Sequence, residues 1–158
     1  MIDLRVLAPD DWRVWRSLRL AALAEAPEAF ASRLADWEGD GDREKRWRSR
    51  LAMPGAHNLV AELAGRPVGM ASGVPASDPQ ARELIAMWVS PGARGAGVGD
   101  ALIAAVTRWA RAEGASELRL AVYSHNLAAA ALYRRNGFAD SVPPGPERVG
   151  ERVMAKPL

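Results

Sequence analysis

The feature that most constrains this chain is a strand, a glycine-rich turn and a helix start that follow one another over residues 85–102. The apolar run Ile85–Val89 predicts the strand, and glycines at 95, 97 and 99 leave the backbone of the turn bare. Bare N–H groups approach a ligand closely, and the N-terminus of a helix adds unpaired donors and partial positive charge. The stretch therefore predicts a phosphate or pyrophosphate site.

Two common phosphate loops do not fit this turn. A P-loop requires Gly-Lys-Ser or Gly-Lys-Thr, whereas Gly97 is followed by Val98 and Gly99. A dinucleotide-binding turn requires G-x-G-x-x-G, and its third glycine would fall at Asp100 or Leu102. A nucleotide-binding protein is therefore disfavoured, and an ordinary glycine-rich turn between a strand and a helix stays open as the alternative.

A family resemblance rests on what the turn does contain. Residues 94–99, Arg-Gly-Ala-Gly-Val-Gly, match the pattern R/Q-x-x-G-x-G/A, and the chain resembles the GNAT superfamily of N-acetyltransferases. The resemblance implies that the turn and the helix start hold the pyrophosphate of acetyl-CoA, through Arg94, Gly95, Ala96, Gly97, Val98, Gly99 and Asp100.

A second motif of the same family follows. The pattern N-x-x-A-x-x-x-Y-x-x-x-G-F is met by Asn126, Ala129, Tyr133, Gly137 and Phe138. The resemblance implies that the Asn126 side chain contacts the CoA arm and that the Tyr133 hydroxyl faces the CoA sulfur, where it would protonate the leaving thiolate. From the residues alone, a helix cap at Asn126 and a core aromatic at Tyr133 are the alternatives.

The strand before the turn carries two further predictions. The resemblance implies that backbone groups of Met87, Trp88 and Val89 pair with the pantetheine arm of acetyl-CoA as an added strand would. A backbone N–H in this stretch would also hold the thioester oxygen as it gains charge. Glu83, eleven positions before Arg94, resembles the general base of one branch of the family. An amine is mostly protonated near neutral pH and must lose a proton before it attacks. The alternative is a solvated residue at the strand start.

Composition excludes several classes of function. Lys and Arg total 21 against 19 Asp and Glu, and no basic run is interleaved with aromatics, so we expect no nucleic-acid partner. The chain has no Cys and only two His, so we expect no metal site and no Cys nucleophile. Without an apolar N-terminal segment or an apolar run of about 18 residues, we expect no membrane insertion or secretion, and a cytoplasmic location.

The order of elements predicts one domain over residues 1–158. Apolar periodicity and turn residues indicate β-α-α-β-β-β-α-β-α-β-β, with hairpins and one βαβ crossover. This order predicts the α/β class (α+β mixed), with a central mixed, mostly antiparallel sheet and helices on both faces, as in the GNAT fold. Within it we expect a second helix over about 36–51, last strands at 138–142 and 152–154, and a Pro-rich loop at 143–146.

The resemblance implies an N-acetyltransferase that moves acetyl from acetyl-CoA to a primary amine by direct attack within a ternary complex. The absence of Cys rules out an acyl-cysteine intermediate. The alternative is a module that senses acetyl-CoA without turnover. The family builds its acceptor pocket from the first two helices and the last loop, which leaves small amines, amino acids, peptide N-termini and aminoglycosides open. The family often dimerises, so a homodimer is one option.

Overall fold

The described part of the chain, residues 1–30, 32–143, 145–146 and 149–158 of a computed structural model, contains seven strands and four α-helices. The strands are β1 (Ile2–Val6), β2 (His57–Leu63), β3 (Arg66–Pro75), β4 (Ala81–Val89), β5 (Glu117–Tyr123), β6 (Ala139–Asp140) and β7 (Glu151–Pro157). The helices are α1 (Trp12–Glu25), α2 (Glu44–Leu51), α3 (Val98–Ala112) and α4 (Leu127–Arg135), with short 3-10 turns between them.

The strands form a single sheet in the order β1-β2-β3-β4-β5-β7-β6. Neighbouring strands are antiparallel except β4 and β5, which are parallel. A parallel pair needs a long crossover, and α3 supplies it. The predicted order of elements and the predicted mixed, mostly antiparallel sheet are confirmed.

Helices cover both faces of the sheet because both faces of its central strands are apolar. Helices α3 and α4 pack on one face, where Leu102 and Val106 are fully buried against side chains of β2 to β5 and β7. Helices α1 and α2 pack on the other face through Trp15 and Trp47. Full burial of one such side chain stabilises the fold by about 1.5–3 kcal/mol. The two cores hold the central strands between them.

Strand β4 pairs with β5 for only a short distance. The parallel ladder runs from Ala81↔Glu117 to Glu83↔Arg119. Past that point β4 and β5, which are both described in full, no longer pair with each other. The second half of β4 therefore presents an edge inside the sheet, and the two strands leave a cleft between them.

On its other side β4 carries a β-bulge. Met70 of β3 pairs with Trp88, and Ser72 pairs with Ile85, so β4 has one more residue than β3 over this span. Ala86 lies in the bulge with a φ of +54°, a left-handed conformation that costs a non-glycine residue about 1–3 kcal/mol. A bulge bends the strand that carries it and redirects its backbone groups. The strain lies in the part of β4 that does not pair with β5.

The predicted helix over 36–51 is wrong in its first half. Two 3-10 turns, Leu34–Trp37 and Gly39–Gly41, precede the α-helix, which begins only at Glu44. Glycine costs a helix about 1 kcal/mol relative to alanine, and Gly39 adopts a φ of +57° that no right-handed helix contains. The acidic residues of this stretch lie in these turns rather than on one helix face.

The C-terminal strands also differ from the prediction. The predicted strand at 138–142 shrinks to the two residues of β6, whereas the predicted strand at 152–154 extends over 151–157. Strand β7 pairs with β5 along its whole length, so ladder hydrogen bonds carry it beyond its apolar centre. The predicted Pro-rich loop includes Pro144, which lies outside the described residues.

Gly73 of β3 generates a stability prediction, because a Cβ there would overlap the ring of Trp109 on α3. Gly73→Ala overpacks this contact, and we expect it to lower the free energy of unfolding by about 1–3 kcal/mol. Urea denaturation measures the change. Gly92→Ala is the matched control, since a Cβ at Gly92 meets nothing within 4 Å. Equal midpoints for the two variants would contradict the packing.

Candidate functional site

A cavity of about 700 Å³ opens where β4 and β5 separate. Its walls come from the second half of β4, the turn that follows it, the start of α3, helix α4 with the residues before it, and the segment after α1. All predicted cofactor-binding residues except Ala96 line it: Met87, Trp88, Val89, Arg94, Gly95, Gly97, Val98, Gly99, Asp100, Asn126 and Tyr133. The structure thus brings two motifs that are distant in the sequence to one place.

The glycine turn has the conformation that its sequence requires. Gly95 and Gly97 have φ values of +85° and +86°, which L side chains rarely adopt. Gly97 caps α3, and its carbonyl accepts the hydrogen bond from the N–H of Ala101 at 3.0 Å. The N–H groups of residues 98–100 precede this bond, so they are the unpaired donors of the helix start. Donors in this position, with the positive end of the helix dipole behind them, are suited to bind an anion.

Arg94 is tied to the protein rather than extended from the turn. Its Nε donates to the carbonyl of Val89 at 3.0 Å, and its Nη2 lies 2.9 Å from Oε1 of Glu25 at the end of α1. The other oxygen of Glu25 accepts from Nε1 of Trp88 at 3.0 Å. One carboxylate therefore holds the end of β4, the turn and the end of α1 together. The interpretation of Arg94 as a phosphate contact stays a prediction.

Asp100 joins the start of α3 to the end of α4. Its carboxylate accepts from Nη2 of Arg135 at 3.1 Å and from Nδ2 of Asn136 at 2.8 Å. A negative charge in the first turn of a helix is favourable, and this ion pair places Arg135 on the rim of the cavity. Arg135 is a cation beside the glycine turn that the motif did not predict.

Asn126 caps helix α4. Its Oδ1 accepts from the N–H of Ala129 at 3.2 Å, so the cap that the sequence offered as an alternative is present. An amide also has a donor end, which the cap leaves unused. Because Asn126 lines the cavity, the cap and the predicted contact with the CoA arm are compatible.

Tyr133 is buried, with 8% of its surface exposed, and it packs edge-on against Phe138. It belongs to the core and also lines the cavity. Burial raises the pKa of Tyr133 to about 12, because the phenolate loses its solvation there. The phenol therefore keeps its proton at every pH in the physiological range, which is the state that a proton donor needs.

Glu83 lies apart from these residues. It lines a second cavity, of about 590 Å³, on the face of the sheet that α1 and α2 cover. This cavity also receives side chains of β5, β7 and the last loop. Ala29 and Phe30 line both cavities, so the segment after α1 is their common wall. Glu83 therefore does not lie with the predicted cofactor residues. It lines the neighbouring cavity instead.

Sequence reasoning missed several parts of the site. Glu25 and the common wall at Ala29 and Phe30 carry no motif, and Glu25 lies 63 positions from the Trp88 that it binds. The sequence gives no sign of the bulge at Ala86, because the residue with the positive φ is not a glycine. His125 lines the first cavity and stacks on Tyr123. Arg135 falls within the span of the second motif but is not one of its specified positions. Its only sequence signal is that it is a basic residue in the last turn of a helix.

Two searches are restricted to the described residues. Among them, no group of three or more His, Asp or Glu side chains has the arrangement of a metal site. No helix in the same part of the chain is long and apolar enough to cross a membrane.

Comparison with known proteins gives consistent matches. The model of the Acetyltransferase (GNAT) family matches residues 17–138. The aminoglycoside N(6')-acetyltransferase type 1 of Stenotrophomonas maltophilia is 30% identical over 149 residues, which cover 87% of this chain and 86% of that protein. The mycothiol acetyltransferase of Renibacterium salmoninarum is 30% identical over 139 residues, and the match covers 87% of this chain but only 40% of that longer protein.

Solved structures share the fold. The PaiA N-acetyltransferase of Thermoplasma acidophilum, solved in complex with coenzyme A, superposes with a TM-score of 0.79 at 16% identity, over 100% of this chain and 99% of that one. The ribosomal-protein-alanine N-acetyltransferase of Brucella melitensis superposes with a TM-score of 0.71 at 26% identity, over 99% of both chains.

The glycine turn generates a binding prediction. Gly97→Val places a branched side chain where the backbone must approach a pyrophosphate, and we expect the Kd for acetyl-CoA to rise by at least about ten-fold. Isothermal titration calorimetry measures it. The control is Gly65→Val in the β2–β3 turn, because Gly65 also has a positive φ, +75°, and lies outside the cavity. An unchanged Kd in a folded Gly97→Val protein would refute the assignment of this turn.

Proposed function

Because the chain belongs to the GNAT acetyltransferase family, we propose that residues 1–158 form one domain that transfers acetyl from acetyl-CoA to a primary amine. One observation carries the proposal. The free edge of β4, the glycine turn and the buried phenol of Tyr133 line a single cavity, and a second cavity shares a wall with it. A protein that only binds CoA needs the first cavity but not the second.

The proposed reaction is a direct attack within a ternary complex. The neutral amine attacks the thioester carbonyl carbon, a new C–N bond forms, and the C–S bond breaks as the tetrahedral intermediate collapses. A covalent acyl-cysteine intermediate is excluded because the sequence contains no Cys. The two cavities suit this order of events, since one holds the acyl donor and the other brings the acceptor to the common wall at Phe30.

The residues of β4 are proposed to hold the donor. Met87, Trp88 and Val89 lie in the part of β4 that β5 does not pair with, so an extended arm has room to pair there as an added strand would, although the Val89 carbonyl already accepts from Arg94. An N–H near Val89 is proposed to donate to the carbonyl oxygen as it becomes an oxyanion. Removing one such donor from an enzyme typically costs about 10²–10³-fold in kcat. The bulge at Ala86 supports this role because it re-aims the backbone there.

Tyr133 is proposed as the general acid. The thiolate of CoA leaves with a negative charge, and a phenol whose pKa burial raises to about 12 still holds its proton when the C–S bond breaks. The T-shaped contact with Phe138 fixes the ring, whose centroid lies 5.9 Å from that of Phe138. The raised pKa also means that deprotonation of Tyr133 limits activity only far above neutral pH.

Glu83 is proposed as the general base. It lies at the end of the β4–β5 ladder, one residue before the strands part, and it lines the cavity proposed for the acceptor. A carboxylate in this place accepts the ammonium proton either directly or through a water.

Tyr133→Phe tests both the activity and the acid. Wild-type protein should release CoA thiol from acetyl-CoA when a suitable amine from a panel is added. The variant removes one hydroxyl with little change in packing, so we expect kcat to fall by about ten-fold to a thousand-fold while the Kd for acetyl-CoA stays nearly constant. If no amine supports thiol release although acetyl-CoA binds, the transferase proposal fails. If kcat is unchanged, Tyr133 is only a core aromatic.

Glu83→Gln tests the base through the pH dependence of kcat/KM. Gln keeps the size of Glu but takes no proton, so we expect a lower rate at neutral pH that recovers in part at high pH, where more substrate amine is already neutral. The amine has its own titration, so both proteins must be measured with the same substrate. Superimposed pH–rate profiles would show that Glu83 is structural.

A further inference from the structure

Two arginines from different helices meet in the second cavity. Arg50, near the end of α2, donates from Nη1 to Oδ1 of Asn58 at 2.9 Å and from Nη2 to Oγ of Ser72 at 3.1 Å. Both acceptors are buried neutral groups, and Ser72 Oγ also donates to Asn58 at 2.7 Å. Ser72 pairs with Ile85, two residues from Glu83, so this network lies on the same face of the sheet as Glu83.

The second arginine in this cavity is Arg19 of α1. Its guanidinium carbon lies 4.7 Å from the ring centroid of Phe30, on the common wall of the two cavities. Its Nη1 is buried and, within the described residues, has no hydrogen-bond partner. Burial, with a smaller contribution from the charge of Arg50, lowers the pKa of Arg19 to about 10. The group still carries its charge at neutral pH.

Among the residues that the structure describes, no carboxylate forms an ion pair with Arg19 or Arg50. Burial lowers the pKa of Arg50 as well as that of Arg19, and for both groups no described carboxylate acts in the opposite direction. An unpaired buried N–H costs about 1–3 kcal/mol, and more on a charged group. Two guanidiniums beside each other add repulsion to that cost. A ligand of opposite charge bound beside the two guanidiniums would remove part of this cost.

We infer that the second cavity selects an acceptor amine that also carries a carboxylate, such as an amino acid or the end of a short peptide, and that Arg19 and Arg50 bind that carboxylate. This inference rests on the proposed function. A guanidinium presents a planar pair of N–H donors that matches a carboxylate, and Arg19 lines the cavity with a buried Nη1 that has no partner among the described residues. Arg50 is already fixed by its two neutral partners, so it supplies a preorganised charge.

The carboxylates of the same cavity suit the other end of such a molecule. Glu83 and Glu151 line the cavity on β4 and β7, so it carries acidic as well as cationic side chains. A zwitterion satisfies both, with its carboxylate at the arginines and its ammonium group near Glu83, where the proposed base acts. An acceptor with several ammonium groups and no anion would instead place a cation against Arg19 and Arg50, which disfavours it.

The test compares matched ligands on matched variants. L-amino acids, β-alanine and dipeptides are titrated by calorimetry into protein saturated with CoA, each beside its own carboxamide. We expect the wild-type protein to bind at least one carboxylate about ten-fold or more tightly than the carboxamide of the same compound. Arg19→Gln should bring this ratio close to one. Arg13→Gln should leave it unchanged, because Arg13 lies on the same helix over the ring of Trp12 but outside the cavity.

Comparing the ratio between proteins removes differences that belong to the amines themselves. The inference is overturned if no carboxylate-bearing amine binds, if the wild-type protein binds each compound and its carboxamide equally, or if Arg19→Gln keeps the full preference. Thiol release from acetyl-CoA is measured separately on the same pairs. Transfer to the carboxamides as fast as to the acids would refute the inference and leave the transferase proposal standing, whereas selective binding without any thiol release would refute the transferase proposal alone.

Discussion

The early end of the β4–β5 ladder is the constraint on which the site depends. A continuous sheet satisfies its own backbone groups and has no room for a ligand between its strands. Here the pairing ends at Glu83 and Arg119, and beyond that point β5 does not pair with the edge of β4. The parallel crossover through α3 places the glycine turn directly at the end of the same strand. The proposed anion site and the strand edge are therefore set by one element, and the distance between them is fixed by the length of β4.

An open edge inside a sheet must be held open, and the packing around it does this. The bulge at Ala86 bends β4, and its unfavourable φ persists because Trp88, two residues later, is buried against α1 and α2 and bound to Glu25. Glu25 also binds Arg94, so the strand end cannot relax without breaking an ion pair at the turn. On the far side, Asp100 and Arg135 fasten α3 to α4. The cleft is thus a strained arrangement stabilised by contacts at both of its ends.

The features that the sequence predicted correctly are those that a short stretch of neighbouring residues determines. Glycines at 95 and 97 adopt positive φ, Asn126 caps α4 as an Asn before an apolar helix does, and apolar runs bounded by turn residues mark β2 to β5. The helix predicted over 36–51 begins too early, because acidic and aromatic residues have helical spacing across Gly39 and Gly41. No motif predicts the roles of Glu25, Arg19 and Arg50, because these roles depend on contacts with other elements of the fold. A local sequence pattern does not encode such a partner.

Helix α1 links the two cavities mechanically. It carries Arg19 beside the second cavity and, less than two turns later, Glu25 at the first, and the residues that follow it form the common wall. Trp15 and Leu18 lie on the same side of this helix and are buried against the sheet, which leaves the helix little freedom to rotate or slide. A shift of α1 would therefore move the proposed carboxylate-binding group and the carboxylate that fixes the end of β4 together. In the proposed transferase, the position of the acceptor and the position of the acyl donor are set by the same rigid element, which is how the attacking nitrogen and the carbonyl carbon are brought into register without a covalent intermediate.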